Sequence, residues 1–172
     1  MKNLLVGIFI LGLTSLSYSQ ASFEEANNLE LEGITLMPAN MTYLTEVSSG
    51  SKALRVINLQ REAASHDVTQ SDIYDGESNL YNVSFTQKDG QVLATYDKDG
   101  RILKTFEKYK DIVSPWPVRK SIYKAYPGWS VEGNRYVVSY NKGRDPVTFY
   151  KVKIEKGNKH KSVKIDSNGN MQ

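Results

Sequence analysis

Two short runs in this chain space acidic and amide oxygens in the way a hard cation needs them. Asp97-Lys98-Asp99-Gly100 and Asp166-Ser167-Asn168-Gly169 look like the opening of a calcium loop, in which closely spaced oxygens converge on one ion. Neither run continues to the bidentate glutamate that completes such a loop. Asp-Gly pairs between alternating runs are also the strongest short-range hairpin signal, because the turn needs a positive φ that glycine adopts freely. Both runs are therefore read as hairpin turns, with no metal or other cofactor.

His66 and His160 are the only histidines, one beside Asp67 and the other inside Lys159-His160-Lys161. A metal site wants several convergent ligands, and a serine triad wants a base beside an exposed nucleophile. The local sequence spells neither, so both histidines are read as surface residues. There is no cysteine, which removes disulfides, thiolate metal sites and thiol nucleophiles together. Walker, G-x-G-x-x-G and H-x-G-H patterns are absent, so nucleotide chemistry, including that of a nicotinate-nucleotide adenylyltransferase, has no motif to stand on. The Glu24-Glu25 pair lies in a polar N-terminal stretch, whereas glycosidase chemistry needs two carboxylates across a cleft. No catalytic residue is assigned. The chain is read as a non-enzyme, with a small enzyme kept as an alternative.

Binding chemistry is better represented. Trp116, Tyr123, Tyr126, Trp129, Tyr136, Tyr140, Phe149 and Tyr150 fall within 35 residues of one another. Most of them should pack a core. Trp116 and Trp129, at the two ends of a predicted helix, are the aromatics best placed for exposure. With Lys142, Arg144, Lys151, Lys153 and Lys159 they form the candidate partner-binding set. Residues 20–100 carry five Lys/Arg against thirteen Asp/Glu, a net of −8, and residues 101–172 carry sixteen against six, a net of +10. The two halves could complement each other, or the basic half could meet an anionic protein, polysaccharide or lipid head group. Outward lysine also protects sheet edges from pairing with other chains.

The elements that would position these residues follow from pattern and punctuation. Met1-Lys2-Asn3, the apolar run Leu4 to Leu13 and the small residues Ser17 and Ser19 read as a secretory signal peptide, residues 1–19. The apolar run is far short of the roughly 20 residues that span a bilayer. An exported, periplasmic or extracellular protein with no stable membrane insertion is expected, and export argues against a nucleic-acid partner. About 150 residues remain, enough to bury a core without disulfides. Residues 20–45 read as a polar segment with strand character at 29–36, ended by Pro38. Residues 46–110 read as a first α+β unit: a helix from about Lys52 to Ala64, with Ala53, Leu54, Ile57 and Ala64 inward and Gln60 toward water, then strands 80–86, 91–97 and 102–106. Residues 111–172 read as a second unit, with a helix over 117–126 stopped by Pro127-Gly128 and strands 135–140, 148–155 and 161–166.

A fixed offset of 69 residues relates Tyr81, Val83 and Phe85 to Tyr150, Val152 and Ile154, and Asp97 to Gly100 with Asp166 to Gly169. Such self-similarity suggests tandem helix-plus-strand repeats. The fold class expected is α+β, a single twisted antiparallel sheet of six to eight strands with the helices on one face and the other face free.

Val118-Arg119-Lys120-Ser121-Ile122-Tyr123-Lys124-Ala125-Tyr126-Pro127-Gly128-Trp129, followed by Tyr150-Lys151-Val152-Lys153-Ile154 and the Asp166 to Gly169 turn, resembles the PepSY-like or beta-lactamase-inhibitor-like (BLIP-like) secreted bacterial domains. The resemblance covers about residues 95–172, and the first helix lacks the Tyr-Pro-Gly stop. It implies a helix-plus-antiparallel-sheet binding module, acting on a protein or peptide as an inhibitor-like domain through the free sheet face and the loops at 142–146 and 156–161. It carries over no contact residue. The alternative is a cell-envelope module that binds anionic glycan or lipid through its basic half.

Overall fold

Alternation at period two gives this chain its sheet. In the computed structural model, which describes residues 40–48 and 53–172, six strands run antiparallel in chain order: β1 (Leu80–Gln87), β2 (Gly90–Asp97), β3 (Ile102–Lys110), β4 (Ser130–Asn141), β5 (Arg144–Lys156) and β6 (Lys159–Ile165). Three helices accompany them: α1 (Met41–Val47), α2 (Leu54–Ser65) and α3 (Trp116–Ala125). The described residues all belong to one unit, Ile34–Gln172. The expected signal peptide and the strand character at 29–36 lie outside the described residues. No described helix is long and apolar enough to cross a membrane.

One face of the sheet is the core. Tyr81 and Phe85 of β1, Val92 and Tyr96 of β2, Tyr109 of β3, Tyr136 and Val138 of β4, and Tyr150, Val152 and Ile154 of β5 are buried in a single cluster. Tyr43 and Val47 of α1, Val56, Leu59 and Ala63 of α2, and Val118 and Ile122 of α3 join the same cluster. All three helices thus cover one face, and among the described residues the other is left open, as an antiparallel sheet permits.

Several expectations need correction. The helix near residue 40 has no strong signal; its apolar residues Tyr43 and Val47 stand one turn apart over only seven residues. Its entry is fixed by Asn40, whose buried side chain donates to the Ala64 and Gly100 carbonyls at 3.2 and 3.1 Å and accepts from the Ile102 N–H at 2.8 Å. Helix α2 buries Ala64 as expected but reverses two other positions. Leu54 is 74% exposed, while Gln60 is buried, because Gln60 Nε2 donates to the Glu107 carboxylate at 2.8 Å. Strand β3 runs on past Phe106 to Lys110. The buried Glu107 sits at a core position there and interrupts the apolar alternation that would have revealed the strand.

Between β1 and β2 the chain turns at the Asp89-Gly90 pair. Asp89 takes the positive φ, 63°, and Gly90 opens β2 opposite Gln87. A Cβ on Gly90 would stand 3.1 Å from the Tyr109 ring and 3.5 Å from Leu59, so this glycine admits α2 and an aromatic side chain to the sheet.

The 69-residue offset lays β1 and β2 on β5 and β6, the first two strands after α2 on the last two after α3. It does not carry α2 onto α3. What it relates is a hairpin and its closing turn. Asp97 Oδ1 accepts from the N–H groups of Asp99 and Arg101, and Asp166 Oδ1 accepts from those of Asn168 and Asn170, all at 2.8 to 3.0 Å. The carboxylates that resemble a calcium loop are thus occupied in capping turns.

Candidate functional site

The open face is built by the residues that alternate with the core. On β3 these are Lys104, Phe106, Lys108 and Lys110, and on β4 Arg135, Val137, Ser139 and Asn141. On β5 they are Val147, Phe149, Lys151 and Lys153, with Lys164 on β6. The antiparallel registers then decide which of them are neighbours. Lys110 stands opposite Arg135, Arg135 opposite Lys151, and Lys151 opposite Lys164. Four cations therefore form one row across four adjacent strands.

Beside that row runs an apolar band. Leu93 of β2 faces Phe106, and Val137 faces Phe149, with Val147 opposite Ser139. Leu93, Phe106 and Val147 are 45%, 41% and 56% exposed. Lys108 lies over the Phe106 ring at 4.8 Å and Lys164 over that of Phe149 at 4.3 Å. Beyond the band stand Lys104, Asn141 and Arg144, aligned in the same way. The face is a stepped apolar strip with Lys108 inside it, opposite Val137, and cations on both sides.

Its electrostatics are costly. Like charges directly opposite on neighbouring strands destabilise a sheet, and three such contacts stand in one row. Among the described residues only Lys153 of the open-face cations is in an ion pair, at 3.8 Å from Glu132. A depression of about 360 Å³ opens at the bulge in β4, between Lys110, Arg135, Lys151 and Lys153.

The candidate residues read from sequence separate into three places. Arg144, Lys151 and Lys153 are on the open face, and Lys142 is in the turn that precedes Arg144. Lys159 lies at the other end of β5, where it opens β6 opposite Lys156. Trp116 and Trp129 belong to the helical layer. Trp116 is 61% exposed at the start of α3, and Trp129 is half-buried against Tyr126. Leu93, Phe106, Lys108, Lys110, Arg135 and Lys164 escaped the sequence reading, although the alternation of Lys104-Phe106-Lys108-Lys110 was a signal for them.

Of the two histidines expected at the surface, His160 is there and His66 is not. His66 is half-buried, with its ring 5.3 Å from that of Phe85 and 5.8 Å from that of Tyr96. His160 is exposed, but register sets it opposite Glu155, and its Nδ1 lies 3.4 Å from Glu132 Oε2. Glu132, Glu155 and His160 bring ligand-type atoms within 4.8 Å of one another. Lys153 shares the Glu132 carboxylate, so ion pairing accounts for this exposed cluster.

Among the described residues Glu107 is the carboxyl buried in the core. It has no exposed surface. Tyr43 Oη and Thr105 Oγ1 donate to Oε1 at 2.8 and 2.9 Å, and Gln60 Nε2 and Tyr109 Oη donate to Oε2 at 2.8 and 2.7 Å. Burial pushes its carboxyl up, against the pull of these four hydrogen bonds. Burial, and next the adjacent carboxylate, push the Tyr109 hydroxyl up as well. Sealed from solvent, this network ties α1 and α2 to β3.

No family model matches the chain, and a search of curated proteins finds no match. Among solved structures, the chain is similar to a BLIP-like protein from Bacteroides fragilis, with a TM-score of 0.34 and 16% identity over 56% of this chain and 67% of that one. At that distance the functional argument rests on this chain's own residues.

Proposed function

We propose that this protein is an exported, non-enzymatic binding module that holds a protein partner on the open face of its sheet and inhibits whatever the covered surface does. Export rests on the N-terminal signal pattern. The observation that carries the binding reading is the row Lys110, Arg135, Lys151 and Lys164 set against the apolar band. A sheet that keeps cations directly opposite one another sacrifices stability, and an acidic partner would relieve that repulsion on binding. The apolar band supplies what an interface centre needs, and the cations supply its rim.

The test is capture from cell-envelope extract with wild type, with the pair Lys151→Glu/Lys153→Glu, and with Trp116→Ala as a control on the helical layer. A partner retained by wild type and by Trp116→Ala, and lost with the charge reversals, supports the reading. Recovery of nothing above background, or of the same proteins on all three, overturns it. Salt-sensitive binding to an anionic glycan with no protein retained would replace the protein partner by a polysaccharide.

A further inference from the structure

Resting on the reading of the open face as protein-binding, we infer that the part of the partner seated there is an amphipathic α-helix with acidic flanks, laid across the strands rather than along them. The apolar band runs over β2 to β5 as two offset pairs, Leu93–Phe106 and Val137–Phe149, with a two-residue step between β3 and β4, where Phe106 stands opposite Ser139 and the buried Val137 opposite Lys108. At about 4.8 Å between strands and about 3.3 Å per residue along them it is roughly 16 Å long. A helix covers that length in about ten residues at 1.5 Å each. Its side chains at i, i+3, i+4 and i+7 recur every 5 to 6 Å or so, close to the strand spacing.

An extended segment fits this face less well. Laid across the strands, it would bring same-side side chains round only every 6.6 Å or so and turn the alternate ones to solvent. Strand addition proper uses a sheet edge, not a face.

Charge sets the flanks. Lys110, Arg135, Lys151 and Lys164 border the band on one side, and Lys104 and Arg144 border it on the other. Along β3, Lys104 and Lys110 are six residues apart, about 20 Å of strand. A helix roughly 10 to 12 Å across fits between them with glutamates reaching to both sides. Phe106 sits at the middle of the band under Lys108, where a buried aromatic would act as the anchor.

The probes are an 18-residue peptide with leucine at helical spacing and glutamate on both flanks, its sequence-scrambled isomer, poly-L-glutamate, and phosphatidylglycerol vesicles. Each is titrated against the purified protein, and the peptides are also followed by circular dichroism. The amphipathic peptide is expected to bind at least tenfold more tightly than its scramble and to gain helicity on binding. Phe106→Ser, and separately Leu93→Ser, should weaken it at least fivefold while poly-L-glutamate binding stays unchanged. Equal binding of peptide and scramble overturns the helix while leaving an acidic partner on the face. Absence of any Lys151-dependent binding by the acidic peptides or poly-L-glutamate overturns both the helix and the underlying reading. Phe106-dependent binding to vesicles without peptide binding assigns the face to lipid and overturns the helix.

Discussion

Glu107 shows how much one side chain can govern in this protein. It accepts four hydrogen bonds from three elements while fully buried, so truncation would leave four donors without an acceptor. Glu107→Ala should cost about 3–5 kcal/mol in a urea melt, a large part of the roughly 5–15 kcal/mol that holds a domain folded. The pH dependence has a definite sign. Burial raises the carboxyl above its ordinary 4.5 in the folded chain, so the folded state binds this proton more tightly than the unfolded state. The stability contributed by this group therefore falls as pH rises from about 4.5 toward the raised value. Melts of wild type and Glu107→Gln at several pH values should show their stability difference narrowing over that window. Asp166 works oppositely. Its hydrogen bonds, with Asn170 foremost, hold it below the usual carboxylate range, and its contribution is lost as pH falls. None of the Glu107 network was legible in the sequence, because a glutamate among lysines reads as solvated until the register places it opposite Val92 and Val138.

At the scale of elements, turns were the most legible feature and helix faces the least. Turn chemistry is local, and the Asp97 and Asp166 turns needed only their own residues. The face that a short helix buries is decided by what it packs on. Leu54 points outward and Gln60 inward because Glu107 is waiting at the sheet, which no periodicity could reveal. The Asp166 turn is also a docking element. Ser121 Oγ of α3 donates to the Gly169 carbonyl at 2.7 Å, and a Cβ on Gly169, at φ 91°, would stand 2.7 Å from the Pro117 carbonyl oxygen. Gly169→Ala should therefore cost about 2–4 kcal/mol, from backbone strain and overpacking together. Gly143→Ala, at φ 80° with open space around it, should cost only about 1–2 kcal/mol, from strain alone. Thermal melts of the two variants would separate these terms.

For the molecule as a whole, the charge asymmetry visible in the sequence becomes a surface. Eight of the sixteen cations beyond residue 100, among them Lys110, Arg135, Lys151 and Lys164, are gathered on one face of β3 to β6. The sequence showed that excess and which strands bear it. It could not show that the cations line up, since register joins residues of that row up to 25 positions apart. Alignment has a consequence that separates a binding face from a merely solvated one: relieving it should stabilise the fold and weaken the function together. Lys151→Glu places a carboxylate between Arg135 and Lys164 and turns two repulsive pairs into attractive ones, worth about 1 kcal/mol, or about 3 °C in Tm. The decisive measurement is therefore made on this one variant, its Tm and its retention of envelope proteins side by side with wild type. A higher Tm with at least tenfold lower retention is the predicted result. Retention equal to wild type would contradict a binding role for the open face, whatever happens to the Tm.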